Sequence, residues 1–488
     1  MSAVAVVAAI YGVVLAALFA YGVNSYVLLA VRRRWRAPAS PAPSGEWPRV
    51  TVQIPVYNER DVAARVIEAA GRLRYPGALD IQVLDDSTDD TVHVVSRKVA
   101  ELVARGVGAE HVRRGHRRGF KAGALADALA STDAPLLLVL DADFVPPEDL
   151  LLRTVPHFEA ADVACVQTRW GHLNRDASAL TQAQALGIDV HFAVEQRARG
   201  AAGWPVCFNG SGGLWRRAAI DAAGGWSADT LTEDLDLSYR AWLAGYRIVY
   251  VDDVVCPAEI PERMVAFKAQ QRRWARGSTA TARKLLGRVW RSRATVGAKL
   301  QATLHLTHYN VHPLMLVSAA LALPLGWLAP AHSSWWTVLP PLAMATGGPL
   351  AMALATYAER GVSRRGLARE LVGLVILGTG LTVSNTGAVL AGLVDRGAVF
   401  ERTPKGGLGS SYRAADHLGA YEVIVGVLCA GLAAWLVERG IYTMAPFLAL
   451  YAAGLCTVGV ATIREARGER ARARASTDAE AGAGAGAA

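Results

Sequence analysis

Several groups of residues in this chain carry chemistry in their type and spacing. Asp141 and Asp143 close the apolar run Leu136 to Leu140, which reads as a buried, parallel-type strand on which alternate side chains share a face. Both acids can therefore point the same way from the strand's C-terminal end. In open α/β sheets ligands bind there, and hard oxygen donors suit Mg2+ or Mn2+ bridging phosphates. Asp86 lies at another such exit, and a carboxylate there can accept hydrogen bonds from a base and a ribose. Lys121 opens a helix behind the basic loop Arg117-Arg118-Gly119, where it can meet phosphate oxygens. Glu233 and Asp234 open a short helix, and a carboxylate held at a cleft rim can take the proton of an alcohol. Phe208-Asn209-Gly210-Ser211-Gly212-Gly213 lets backbone approach a ligand closely. Arg273 and Trp274, three and four residues after Gln270, offer a guanidinium fork for pyrophosphate and a flat face for a sugar ring.

Each group also has a plain structural explanation. Acids end strands and complement helix dipoles; Thr232 reads as a helix cap, and so do Asp89 and Asp90. Lysines are mostly solvated, glycine runs are turns, and a basic helix with a tryptophan can lie on a membrane.

The elements that would hold these residues follow from composition and periodicity. The chain has 488 residues, 52% of them hydrophobic, with net charge +9 and mean hydropathy +0.23, so membrane segments are expected. Much of the positive charge flanks apolar runs, as in Arg32 to Arg36 and Arg464 to Arg474. That pattern points to topology signals and away from nucleic acid. The five cysteines show no C-x-x-C spacing, which argues against a disulfide framework or zinc site.

Residues 1–36 read as an N-terminal membrane helix with its basic end in the cytosol, and 37–49 as a linker. Residues 50–260 alternate strands with helical patterns, as a doubly wound α/β domain does. Residues 261–303 read as interfacial helices, 304–358 and 420–463 as two spans each, and 464–488 as a basic, then disordered tail. If the run Leu371 to Val394 also spanned, the basic tail would end outside, against the positive-inside rule. Residues 359–419 are therefore expected to hold an interfacial or re-entrant helix and a loop on the cytosolic side.

Taken together, Asp86, Asp141-Ala142-Asp143, Thr232-Glu233-Asp234 and Gln270-x-x-Arg273-Trp274, followed by membrane helices, resemble the processive family 2 glycosyltransferases of the cellulose synthase superfamily. The wording of Val52-Gln53-Ile54-Pro55, Lys121-Ala122-Gly123-Ala124-Leu125 and Phe208-Asn209-Gly210 is similar to plant-type mannan and glucan synthase-like proteins. The resemblance implies a GT-A type nucleotide-sugar-binding domain, a Rossmann-like mixed sheet, inserted between transmembrane helices. It implies Asp234 as general base, Asp143 as ligand of Mg2+ or Mn2+, and Asp86, Lys121 and Asp141 on the donor. Asn209, Gly210, Ser211 and Glu233, with Gln270, Arg273 and Trp274, would face acceptor and pyrophosphate. Phe400-Glu401-Arg402-Thr403-Pro404-Lys405 matches the family's gating loop, with Thr403 and Lys405 on the nucleotide. Asn209 stands where cellulose synthases generally carry a cysteine.

The implied activity is inverting transfer of a hexose from UDP-glucose or GDP-mannose to a β-linked polysaccharide, extruded across a bacterial cytoplasmic membrane. The alternatives are a single transfer to a lipid of ceramide or diacylglycerol type and a catalytically inactive membrane scaffold. Donor, polymer and bilayer are the expected partners; nucleic acid is not.

Overall fold

The computed structural model describes residues 3–39, 45–328, 339–359, 364–394 and 419–485. Among them lies a seven-stranded sheet in the order β3-β2-β1-β4-β6-β5-β7. The strands are β1 (Val50–Val56), β2 (Leu79–Asp85), β3 (Gly108–Val112), β4 (Leu136–Val139), β5 (Val163–His172), β6 (Gly213–Arg216) and β7 (Arg247–Ala258). β6 runs antiparallel to both β4 and β5, while the other pairings are parallel. The sheet is therefore mixed.

Period-2 alternation divides the core. Leu136, Leu138 and Leu140 join Val52, Ile54, Val66 and Ile67 on one face, and Leu137 and Val139 join Leu84, Phe208 and Trp215 on the other. Each such fully buried aliphatic side chain contributes about 1.5–3 kcal/mol. Helices cover both faces, so β4 can be apolar throughout and still be satisfied.

In chain order the helices are α1 (Ala3–Arg32), α2 (Arg60–Ala70), α3 (Thr91–Ala104), α4 (Phe120–Ala128), α5 (Leu150–Thr154), α6 (Ala179–Val190), α7 (Arg197–Ala202), α8 (Arg217–Ala222) and α9 (Glu233–Leu243). There follow α10 (Met264–Arg291), α11 (Val296–Leu306), α12 (Val311–Leu328), α13 (Leu339–Glu359), α14 (Arg364–Gly380), α15 (Thr382–Val394), α16 (Gly419–Glu438) and α17 (Ala445–Ala485). From Ala179 to Ala202 the chain is one continuous helical run. A π-helical turn, His191–Gln196, joins α6 to α7 within it. The Ala/Gly tail is not without structure, since α17 continues through Ala485; alanine, arginine and glutamate are strong helix formers.

Four described helices are long and apolar enough to cross a membrane: Ala5–Arg32, His308–Leu328, Gly419–Glu438 and Ala445–Gly468. A fifth candidate, Gly366–Gly380 with Thr382–Val394, is bent by 48°. The expected span over α13 lies partly outside the described residues and is not among the four. α13 nevertheless lies tight against α1: a Cβ on Gly348 would sit 2.3 Å from the Gly22 carbonyl oxygen. At its end Glu359 pairs with Arg32 at 2.9 Å.

α10 joins the sheet domain to this bundle. Lys268 on α10 is fully buried and donates to Glu422 of α16 at 2.8 Å, and Glu465 of α17 accepts the N–H groups of Met264 and Val265. The gating-loop residues Thr403 and Lys405 lie outside the described residues.

Candidate active site

The cleft opens where β1, β2 and β4 end, beside the loop before β6 and the starts of α4 and α9. Lys121 comes from the first turn of α4, entered through Gly119 at φ +70°. Its ammonium donates to Asp141 Oδ1 at 2.5 Å and to the Gly210 carbonyl at 2.7 Å, with Glu233 Oε1 at 3.7 Å. Burial alone would lower this ammonium, but the charges of Asp141 and Glu233 outweigh it and hold its pKa above the usual value.

Asp141 and Asp143 do share the β4 exit, unequally. The Asp141 side chain is 32% exposed and engaged by Lys121, whereas Asp143 is 1% exposed and still lines the cleft. Among the described residues no three His, Cys, Asp or Glu converge on a metal position. That donor set fits a hard cation held by one or two carboxylates, with diphosphate oxygens and water completing the shell. Asp143, with Asp141 beside it, would hold Mg2+ or Mn2+.

Asp234 is buried at the start of α9, its Oδ1 accepting the Leu235 N–H at 2.8 Å. Burial first, then the neighbouring Glu233 carboxylate, push its pKa up to about 7, against the pull of Lys121. A carboxylate poised there serves as a general base near neutrality. Ser238 fixes it against the Asn209 loop, donating to the Asp234 carbonyl at 2.6 Å and accepting the Phe208 N–H at 2.9 Å.

α10 supplies Gln270, Arg273 and Trp274 to the same cleft. Burial lowers the Arg273 guanidinium from its usual value, opposed by the charges of Glu233, Asp141, Asp234 and Glu59. α10 comes this close because Gly277 has no side chain: a Cβ there would lie 2.6 Å from Thr232 Cγ2 and 2.9 Å from its backbone nitrogen. Thr232 makes no side-chain cap bond; contrary to expectation its hydroxyl pairs with Thr281 of α10 at 3.1 Å.

One expected contact is displaced. Ser211 is fully buried and its hydroxyl accepts the Asp141 N–H at 2.8 Å, so it orients Asp141 from behind the cleft wall. Conversely, Arg114 was not singled out. It forks both oxygens of Asp86, at 2.8 and 2.7 Å, and fixes that carboxylate at the edge of the cleft. Its position on the strand exit after β3, the neighbour of β2, was the available signal. Arg117 stacks over the Tyr57 ring at 3.4 Å, adding a flat cationic wall to the same end.

A second cavity, of about 400 Å³, shares Asn209, Asp234, Gln270 and Trp274 with the cleft and extends past His191 and Tyr309 to Leu377 of α14.

Residues 48–277 match the family model described as glycosyltransferase like family 2. The chain is similar to probable glucomannan 4-beta-mannosyltransferase 11 of Oryza sativa subsp. japonica, 42% identical over 246 residues, covering 49% of this chain and 43% of that one. It is similar to glucomannan 4-beta-mannosyltransferase 2 of Arabidopsis thaliana, 39% identical over 256 residues, covering 51% and 48%. The chain thus spans about half the length of the curated relatives it matches. Among solved structures, a mannosyltransferase from Pyrobaculum calidifontis in complex with GDP-Man and Mn2+ matches 79% of this chain and 99% of its own, with TM-score 0.54 and 23% identity. That likeness concerns the fold.

Proposed function

Since residues 48–277 form a family 2 glycosyltransferase domain of the cellulose synthase-like type, with the GT-A fold, we propose that the chain elongates a β-linked polysaccharide from a nucleotide sugar. The donor we favour is GDP-mannose, the sugar transfer in the names of its relatives being to mannan-type polymer; UDP-glucose is the competing donor. The observation that carries polymer synthesis is the continuity of the two cavities. Asp234 and Trp274 line both, and the second runs in among α12 and α14, the route a growing chain would need to reach the membrane.

In this reading the donor's base lies against Asp86 and the Tyr57–Arg117 stack, and its diphosphate lies between Lys121, Arg273 and the β4 acids. A metal at Asp143 would neutralise charge on the departing diphosphate. Lys121 and Arg273 do the same from the protein side, in a site whose charges are fixed before substrate arrives. Trp274 stacks on the acceptor sugar. Asp234 takes the proton of its hydroxyl as that oxygen bonds to the anomeric carbon, while the bond from that carbon to the diphosphate oxygen breaks and its electron pair leaves with the nucleotide. A single displacement turns an α-linked donor into a β-linkage. The sheet domain then faces the cytosol, where nucleotide sugars are made.

Asp234→Asn is the direct test. Transfer should fall by about 10²–10⁴-fold, the usual worth of a general base, while nucleotide-sugar binding measured by calorimetry stays within a few-fold. Near-normal turnover would remove Asp234 from the role. A radiolabelled panel of GDP-mannose and UDP-glucose, with the product sized and its linkage analysed, decides donor and separates a polymer from a singly glycosylated lipid.

A further inference from the structure

The π-helical turn His191–Gln196 leads to a chain of side chains that the proposed reaction has not used. Turns of this kind are rare and cluster at functional sites. Gln196 is fully buried, and its amide is oriented by backbone: its Oε1 accepts the Cys207 N–H at 3.3 Å and its Nε2 donates to the Cys207 carbonyl at 2.7 Å. With that orientation fixed, the same Nε2 donates to Asn209 Oδ1 at 2.9 Å. The Asn209 amide can then point only one way, with Nδ2 toward His191 Nε2 at 3.0 Å. An amide nitrogen only donates, so His191 Nε2 must be the unprotonated acceptor, and its proton sits on Nδ1. Nδ1 faces Glu195 Oε2 at 3.1 Å. Burial would raise the Glu195 carboxyl, but the His191 hydrogen bond and the charge of Arg199 outweigh it and draw its pKa below the usual value. A charged acceptor therefore closes the chain.

Every donor and acceptor in this relay is determined in sequence from the Cys207 backbone, and its middle member, Asn209, lies at the wall between donor cleft and second cavity. Asn209 Nδ2 has a second N–H beyond the one given to His191. The neighbouring Gly210 is packed so closely on the base that a Cβ there would lie 3.0 Å from Asp234 Oδ2. We propose that His191 and Glu195 are positioning residues that lock the Asn209 amide so that its remaining N–H donates to the acceptor sugar beside Asp234. Asn209 holds the hydroxyl oxygen while Asp234 faces its proton, and the pair fixes which hydroxyl is presented for attack. This inference rests on the glycosyltransferase reading above.

The test uses the full chain in nanodiscs with a soluble β-linked oligosaccharide as acceptor. His191→Leu should raise the acceptor KM by about tenfold or more while the donor KM and the slow hydrolysis of nucleotide sugar to water change by less than about twofold. Glu195→Gln, which still offers an oxygen to Nδ1–H, should keep most of the acceptor affinity that Glu195→Leu loses. Parallel losses on donor and acceptor sides, or an unchanged acceptor KM, overturn the proposal. An independent arm needs no turnover. 15N-histidine NMR of the wild-type chain, with the resonance assigned through His191→Gln, should show the Nδ1–H tautomer; an Nε2–H tautomer or an imidazolium at neutral pH overturns it. A wild-type protein that transfers no sugar from any donor fails the enzyme reading, whereas a wild type that transfers with variants that do not differ fails this relay alone.

Discussion

Asp234 has two carboxylate neighbours and one ammonium within reach, and this mixture sets how the protein responds to pH. Its pKa of about 7 lies above the ordinary carboxylate value. Between those two values the folded chain holds a proton that the unfolded chain has released, so this group's contribution to stability falls as pH rises from about 4 to 7. Asp234→Asn removes that slope: its thermal midpoint should gain on wild type at pH 8 and not at pH 5. Activity runs the other way, because only the ionised form can accept a proton. kcat/KM should fall by about tenfold per pH unit below pH 7 and level off above it, following the free enzyme's base. A flat profile between pH 5 and 8 would mean that another group takes the proton. Asp234 was readable in the sequence because it opens a helix after a polar stretch. Its raised pKa was not, because the largest cause is burial, which the neighbouring Glu233 only reinforces and which arises when α9 packs into the core shared with β4 and α4.

At the scale of elements, the strand exits were the legible part. Apolar runs ending in Asp86 and in Asp141-Ala142-Asp143 announce parallel strands with acids at one edge, and the sheet brings both exits into one cleft. What the sequence could not show is how neighbouring elements use the same side chains. Ser211 turned inward because β6 runs antiparallel beside β4, which puts its hydroxyl on the Asp141 N–H. Thr232 gave up its cap because α10 crosses within reach of it. The π-helical turn leaves no periodic signature, since six residues are too few to shift a hydrophobic stripe. The crossing of α10 over the start of α9 is the most exacting of these contacts, and Gly277 is its condition. Gly277→Ala puts a methyl group inside contact distance of the Thr232 backbone, and overpacking of this kind costs about 1–3 kcal/mol. Relief by lifting α10 would carry Arg273 and Trp274 away from Asp234. The expected outcome is a folded protein whose transfer rate drops by about tenfold or more, as small misplacements of catalytic groups do, with donor affinity reduced less. Unaltered kcat in that variant would show that α10 can shift without disturbing the site.

At the scale of the whole molecule, contacts along the helices define their directions. Tyr21 of α1 meets Thr307 at the foot of α12, and Tyr11 and Leu15 cluster with Ala319 and Ala322 further up, so α12 runs away from the sheet domain. α13 returns, since Gly348 meets Gly22 and Glu359 meets Arg32. α16 leaves again, from Lys268 at Glu422 to Leu436 beside Gly326, and α17 comes back to place Glu465 on α10. The bent pair behaves differently. Gly373 near its start packs on Ala183 of the sheet domain, and Gly392 near its end packs on Arg276 of α10. Both ends of the pair therefore face the same side, and its bend reaches inward only as far as Gly454 of α17. We infer that α14 and α15 dip into the membrane and return, leaving three crossings between the α10–α11 corner and the α16–α17 connection. In a variant whose native cysteines are replaced, Tyr442→Cys, at a position 66% exposed, should react with a membrane-impermeant maleimide in intact cells, and Arg293→Cys only after permeabilisation. A fourth crossing would put both positions on one side of the membrane. Equal labelling of the two would therefore refute the re-entrant pair.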